Sequence, residues 1–413
     1  VRDGGRLAAA IQVLEDMESR HKPARQALKA WGDSARYAGA KDRAFVSGLA
    51  LDALRRRRSL AWRMGEESHR ARVLGALGFE WDWPADRIAA AAADDHGPGA
   101  LSDAERARLE APPALEGAPA DVRGDYPPWL EANMARVFGE ERAAEGEALA
   151  RRAPVDLRVN TLKTDRDHCL RALAPFDPQP LARLETAIRI AAPVASDRAA
   201  PVEVAPEFER GWFEVQDLGS QIAAAQAGDI RGAQVLDFCA GGGGKTLALA
   251  AAMENSGQLH AYDSDARRLT DTVRRSQRAG VRNLQVLSPI HPNVLAGLEG
   301  RMDLVFVDAP CTGSGTWRRH PDAKWRLTPA QLARRMAEQD AVLTAAAPFV
   351  KPGGRLIYVT CSLFAEENED RVAAFLDRAS HFAPRQDSGT APRLTPRTDG
   401  ADGFFFAVLE RAS

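Results

Sequence analysis

At 413 residues the chain is long for one domain, and two or three are expected. It is 45% hydrophobic and 27% charged, enough for a core and typical of a soluble protein, and no run of 18 apolar residues marks a membrane helix. The net charge is −2, so nucleic-acid contact would have to rest on local basic patches; four cysteines without a C-x-x-C pair argue against a disulfide framework or a metal site. The opening Val1-Arg2-Asp3-Gly4-Gly5 has no signal-peptide pattern, and a cytoplasmic protein is expected.

Residues 1 to about 92 read as helical. Leu7, Ile11, Leu14 and Met17 fall at helical spacing, as do Val46, Leu49 and Ala53. Arg55 to Arg58 form a basic run at a helix end, where cations suit the dipole; a solvated face and an RNA contact are both open for it. Prolines from Pro98 to Pro128 mark a linker, interrupted by a short helix with Ser102 as its cap. A further helix opens at Pro128 and carries Leu130, Met134 and Val137 on one face. Residues 157–163 alternate as a strand, a helix follows around 170–173, and 187–190 and 202–204 read as more β structure. Together they make a small α+β module, either a plain insert or a substrate holder. Arg158, Asn160 and Lys163 offer polar groups suited to phosphate or base edges.

The stretch from Val235 to Thr246 organises the remainder. A buried-strand pattern runs into four glycines, and an Ala/Leu-rich helix follows, the usual cradle for a nucleotide-like cofactor. A P-loop would need glycine at Cys239, and a dinucleotide fingerprint would need it at Thr246, so both patterns fail by one residue. S-adenosylmethionine has no phosphate on its methionine side and suits such a turn. It calls for an acid after the next strand, and Asp263 stands 26 positions after Asp237, near the offset of about 20 in dinucleotide folds.

Strand patterns at 235–238, 259–262, 284–287, 304–307 and 356–359 alternate with helices at 247–253, 266–278 and 329–348. This predicts a doubly wound, mostly parallel α/β sheet, with 404–409 as a final edge strand. Thr328 and Pro329 give the last helix a strong start. Ligands in such sheets sit beyond the carboxyl ends of the strands, where Cys239, Cys311 and Cys361 all fall; Cys169 lies in a helix and reads as packing. Two facing thiols, the carboxylate of Asp308 and a methyl donor suggest methylation of an unreactive ring carbon such as C5 of cytosine. A thiolate would add at C6, helped by a nearby cation such as Lys245. Which cysteine attacks stays open on these grounds.

Asp308-Ala309-Pro310-Cys311, Arg318-Arg319-His320-Pro321-Asp322-Ala323-Lys324-Trp325, and Thr360-Cys361-Ser362 with Glu366-Glu367-Asn368 resemble the Sun family of RNA 5-methylcytosine methyltransferases, in its bacterial small-subunit ribosomal-RNA group. Cys239 to Thr246 resembles the family's cofactor motif and Gly211 to Gln221 the motif before it. The resemblance implies that Cys361 attacks the base, that Cys311 assists release, and that Lys245 and Asp308 join them as catalytic groups. It implies cofactor contacts from Cys239, Ala240, Gly241, Gly242, Gly243, Gly244, Lys245, Asp263, Arg268 and Asp308, and RNA contacts from Arg318, Arg319, His320 and Lys324, which join Arg158 and Asn160, expected on residue type to contact RNA. Three bodies are then expected: a NusB-like helical domain with linker at 1–124, a small RNA-binding module at 125–206, and a Rossmann-like S-adenosylmethionine-dependent methyltransferase domain at 207–413. The expected partner is small-subunit ribosomal RNA, and the protein is expected to be a monomer.

Two departures stand out. Gly241 and Gly242 replace the family's Ala-Pro, which leaves the turn less pre-organised. The family's adenine-contacting acid after the third strand is missing from Leu287-Ser288-Pro289-Ile290-His291, so either binding is looser or Ser288 substitutes. Alternatives are the same chemistry on transfer RNA or another RNA, or a non-catalytic RNA-binding or ribosome-assembly factor with a degenerate cofactor site.

Overall fold

Apolar residues at helical spacing in the first third of the chain become helices packed through that face. The computed structural model describes residues 2–385 and 392–413. In it, helices Asp3–Ser19, Ala40–Arg55 and His69–Phe79 bury Leu7, Leu14, Val46, Leu49, Val73 and Leu77 completely. Each such side chain contributes roughly 1.5–3 kcal/mol. Ser68 starts the third helix by accepting the Ala71 N–H at 3.0 Å. These helices belong to a unit built from Val1–Ala153, Ala192–Ala199 and Trp317–Leu327. The helical body therefore runs past the expected boundary at 124 and takes in two later segments.

The last segment joins because it completes a helix end. Helix Ala40–Arg55 finishes with carbonyls that no helical N–H reaches. Trp325 Nε1 donates to the Leu54 carbonyl at 2.7 Å and Lys324 Nζ to that of Arg55 at 3.1 Å. Arg55 Nη2 donates in return to the Arg318 carbonyl at 2.9 Å. Arg318 and Lys324 are thus buried, Lys324 at 1% exposure, and differ from the expectation that they line an RNA path. Of their neighbours, Arg319 is half-buried and His320 exposed. The Arg55–Arg58 run is also used internally: Arg55 pairs with Asp52, Arg56 with Glu147, Arg57 with Glu18 and Arg58 with Asp121.

The second unit comprises Pro154–Ala191, Ala200–Thr316 and Thr328–Ser413, so the small module and the larger sheet are gathered together. Strands β1 (Val155–Val159), β2 (Gln179–Pro180), β3 (Ala187–Ile190) and β4 (Phe213–Val215) form an antiparallel sheet in the order β2-β3-β1-β4. Residues Val202–Val204 make a single 3-10 turn rather than a strand; Pro201 and Pro206 flank it and cannot donate to a ladder. Arg158 and Asn160 are buried here. Arg158 Nε donates to Gln216 Oε1 at 2.7 Å, and Asn160 Nδ2 to the carbonyls of Gly211 and Ala279, both at 2.8 Å. Neither offers its side chain to RNA as expected.

The larger sheet holds β5 (Gln234–Asp237), β6 (Gln258–Tyr262), β7 (Leu284–Leu287), β8 (Met302–Asp308), β9 (Val350–Thr360), β10 (Phe382–Pro384), β11 (Arg393–Leu394) and β12 (Phe404–Arg411). Its order is β10-β12-β9-β8-β5-β6-β7, with β11 on β12; the pairs among β5 to β9 are parallel, and β12 runs antiparallel to β9. β12 is therefore not the edge strand. Phe404 and Phe406 pack into one core and Phe405 into the other, so both of its faces are covered. Thr328 and Gln331 cap each other's backbone N–H at the start of helix Pro329–Ala346, as expected from the sequence. Among the described residues no helix is long and apolar enough to cross a membrane, and no group of side chains is arranged to hold a metal.

Two stability tests follow from these contacts. A Cβ on Gly315 would lie 2.1 Å from the Gly403 carbonyl oxygen. Gly315→Ala is expected to cost about 1–3 kcal/mol, read as a lower urea midpoint; an unchanged midpoint would contradict this packing. Burial pushes the Lys324 ammonium down to about 7, Asp125 opposing that push and Arg56 and Arg55 adding to it. From there up to the unfolded lysine value of about 10.4 the unfolded chain holds the extra proton, so stability should rise with pH by at most about 1.4 kcal/mol per unit. Urea titrations at pH 7, 8.5 and 10 should show that increment lost in Lys324→Met.

Candidate active site

β5 ends at Asp237, and the chain turns through Phe238 to Gly243 into helix Gly244–Ala252. Gly241 and Gly243 adopt φ of +53° and +87°, a region open to glycine at little cost. At Gly243 a Cβ would also meet Thr272 Oγ1 at 3.0 Å. The turn is tied from outside: Thr272 Oγ1 donates to the Gly241 carbonyl at 2.9 Å and Arg275 Nη1 to that of Gly242 at 2.5 Å. Helix Ala266–Ala279, capped by Asp265, thus supplies rigidity that a proline at Gly242 would otherwise give. Thr272 and Arg275 escaped the sequence reading, although with Arg268 they share one helical face at i, i+4 and i+7.

Asp263 stands just beyond β6. Its Oδ2 accepts the Gly241 N–H at 2.9 Å and its Oδ1 the Asp265 N–H at 2.8 Å. A carboxylate has about four acceptor positions, so Asp263 retains capacity for a ribose diol. Arg268 Nη1 lies 3.9 Å from it on a mostly exposed side chain. The turn opens into a cavity of about 570 Å³, the size of a small-molecule site, lined among others by Cys239, Ala240, Gly241, Gly242, Gly244 and Lys245. Gly243 is absent from that lining and serves the turn. Tyr262, Ser264, Arg275 and Arg335 line it too, unforeseen, whereas Ser288 does not.

Lys245 separates the possible cofactors. Its Nζ donates to Asp308 Oδ2 at 2.8 Å rather than into the glycine turn. Burial alone would lower this ammonium, but the Asp308 charge outweighs it and holds the group above its ordinary value. A phosphate would find its lysine already engaged. The glycine cradle and Asp263, with acceptor capacity left for a ribose diol, fit S-adenosylmethionine.

Across the same cavity lie Asp308 at the tip of β8, Cys311 beyond it and Cys361 beyond β9. The two Sγ atoms are 3.4 Å apart. The contact with Cys361, then burial, pushes the Cys311 thiol well above its ordinary value. Burial does the same for Cys239, with Asp237, Asp308 and Asp263 adding to it, so Cys239 is a neutral wall of the site. Cys169 is buried elsewhere and pushed up to about 12 by burial. The site therefore gathers Cys311, Cys361, Asp308, Lys245 and Asp263 as expected. Glu367 and Gln339, which bond behind the two thiol loops, enter unforeseen as a connected pair.

Residues 226–410 match the family model described as 16S rRNA methyltransferase RsmB/F, and residues 126–197 match the RsmF/B-like ferredoxin-like domain. Ribosomal RNA small subunit methyltransferase B of Enterobacter sp. (strain 638) is 34% identical over 301 residues, covering 71% of this chain and 68% of that protein. Among solved structures, a methyltransferase homologue from Pyrococcus horikoshii is 27% identical with a TM-score of 0.60, over 71% of this chain and 97% of that one. NSun6 from the same organism shares the fold, with a TM-score of 0.62 at 20% identity, over 70% of this chain and 98% of its own. With a glycine cradle, a thiol pair and these matches in place, the chain belongs to the Sun family, among the RsmB/F ribosomal RNA methyltransferases.

Proposed function

We propose that the protein methylates C5 of a cytosine in small-subunit ribosomal RNA, with Cys361 as the nucleophile. The observation that carries this is the pair of Sγ atoms 3.4 Å apart in the cavity that also holds the glycine turn and the Lys245–Asp308 pair. When bound, S-adenosylmethionine supplies an electrophilic methyl group. C5 of cytosine is a poor nucleophile until a group adds at C6, which is the work a thiolate does well.

The contact with Cys361 and burial disfavour a thiolate at Cys311, and the resemblance of Thr360-Cys361-Ser362 to the family motif assigns the attack to Cys361. Its sulfur bonds to C6, and the displaced electron pair is delocalised towards N3 and C5. Asp308, fixed by Lys245, lines the cavity where the base's N3 and N4 edge would lie. After methylation a base removes the C5 proton, the electron pair re-forms the C5–C6 double bond, and the Cys361–C6 bond breaks. Cys311 is close enough to assist that departure.

Labelled S-adenosylmethionine and unmodified small-subunit RNA should yield 5-methylcytosine, identified by nucleoside mass. A different methylated nucleoside would end the proposal. Cys361→Ala should lower transfer on the order of 10³-fold or more. Cys311→Ala should accumulate a denaturation-resistant protein–RNA adduct; normal turnover without one would refute the two-thiol assignment.

A further inference from the structure

The two thiol loops are joined by one carboxylate that the reaction does not touch. Glu367 is fully buried at the end of the turn Ala365–Glu367. Its Oε1 accepts the Thr312 N–H at 2.8 Å and Gln339 Nε2 at 3.0 Å; its Oε2 accepts Thr312 Oγ1 at 2.5 Å and the Ser362 hydroxyl. Thr312 directly follows Cys311, and Ser362 directly follows Cys361. Gln339 Nε2 also donates to the Pro310 carbonyl at 2.9 Å, so Cys311 is held from the residues on both sides. On the other loop the Cys361 carbonyl accepts the Gly315 N–H at 2.9 Å, and that of Ser362 accepts Asn368 Nδ2 at 2.9 Å.

Strand pairing cannot do this work. The β8–β9 register ends at Asp308 opposite Val359, before either cysteine. A buried carboxylate is tolerated when its lone pairs are filled, and removing one partner leaves the others unsatisfied. Four donors on one carboxylate therefore form a specific joint between the loops.

We propose that Glu367 is a positioning residue that sets the separation of Cys311 and Cys361, and thereby couples release of the base to its attack. The coupling rests on the two-thiol reading above; the geometric part does not. Glu367→Gln keeps the volume but turns one accepting oxygen into an amide NH₂ facing donors. Thr312→Val and Ser362→Ala are milder, each removing one hydroxyl from one loop.

The geometry is read with diamide, which takes two electrons and two protons from a thiol pair and leaves a disulfide. Closure of the Cys311–Cys361 bond, followed by peptide mapping, should slow about tenfold or more in Glu367→Gln and less in Thr312→Val, since a 1 Å misplacement can cost on the order of 10²-fold. The coupling is read in single-turnover reactions with S-adenosylmethionine and unmodified small-subunit RNA. Thr312→Val should raise the fraction of RNA held as adduct, and Ser362→Ala should slow adduct formation. A purely structural role would lower the thermal midpoints yet leave closure rates and adduct fractions at wild-type values, and that result overturns the proposal. Slowed closure together with no adduct in Cys311→Ala would uphold the positioning role and refute only the two-thiol chemistry.

Discussion

Parallel pairing of β8 with β9 is the constraint on which the site depends. Neighbouring strands lie about 4.8 Å apart, so two chains leaving the same edge of the sheet emerge side by side. Asp308 opposite Val359 is the last matched pair, and each chain reaches its cysteine within a few residues. On the other side of β8 lies β5, with Asp237 opposite Phe306, and beyond it β6. The order β9-β8-β5-β6 thus sets Cys361, Asp308, the glycine turn and Asp263 in one row.

Charge had to be arranged so that this row could be buried. Asp237 and Asp308 stand near the buried cation Lys245, and Asp263 near both Asp237 and Arg268. Burial pushes the Asp237 carboxyl up to about 7, against the hydrogen bond from Thr246, with Asp308 adding to the push. Near neutrality Asp237 is therefore partly protonated, which relieves the surplus of negative charge. Lys245 and Asp308 can then act as one balanced pair.

Much of this was legible in the sequence because strands and glycine turns leave short-range signals. The five parallel strands were readable from apolar runs, and the cysteines from their place at strand ends. Residue type alone misled at Arg158, Asn160 and Lys324, whose side chains serve buried backbone carbonyls or a neighbouring amide instead, while Arg318 is buried with its own carbonyl bonded to Arg55. The edge position given to 404–409 failed for a different reason, since β10 precedes β12 in the chain yet lies outside it. Domain limits drawn along the chain could not anticipate a unit assembled from three separate segments. Glu367 was quoted only as part of a motif, because its meaning lies in what it joins.

The capping of helix Ala40–Arg55 also bears on how the protein is made. Lys324 and the carbonyl it satisfies are 269 positions apart. A ribosome adding about 5–20 residues per second needs roughly tens of seconds to cover that distance. During that interval the nascent helical unit has its core but not its final helix end, and water must serve the Leu54 and Arg55 carbonyls. The N-terminal unit is thus first in the sequence yet stays unfinished until the segment ending at Leu327 has been made.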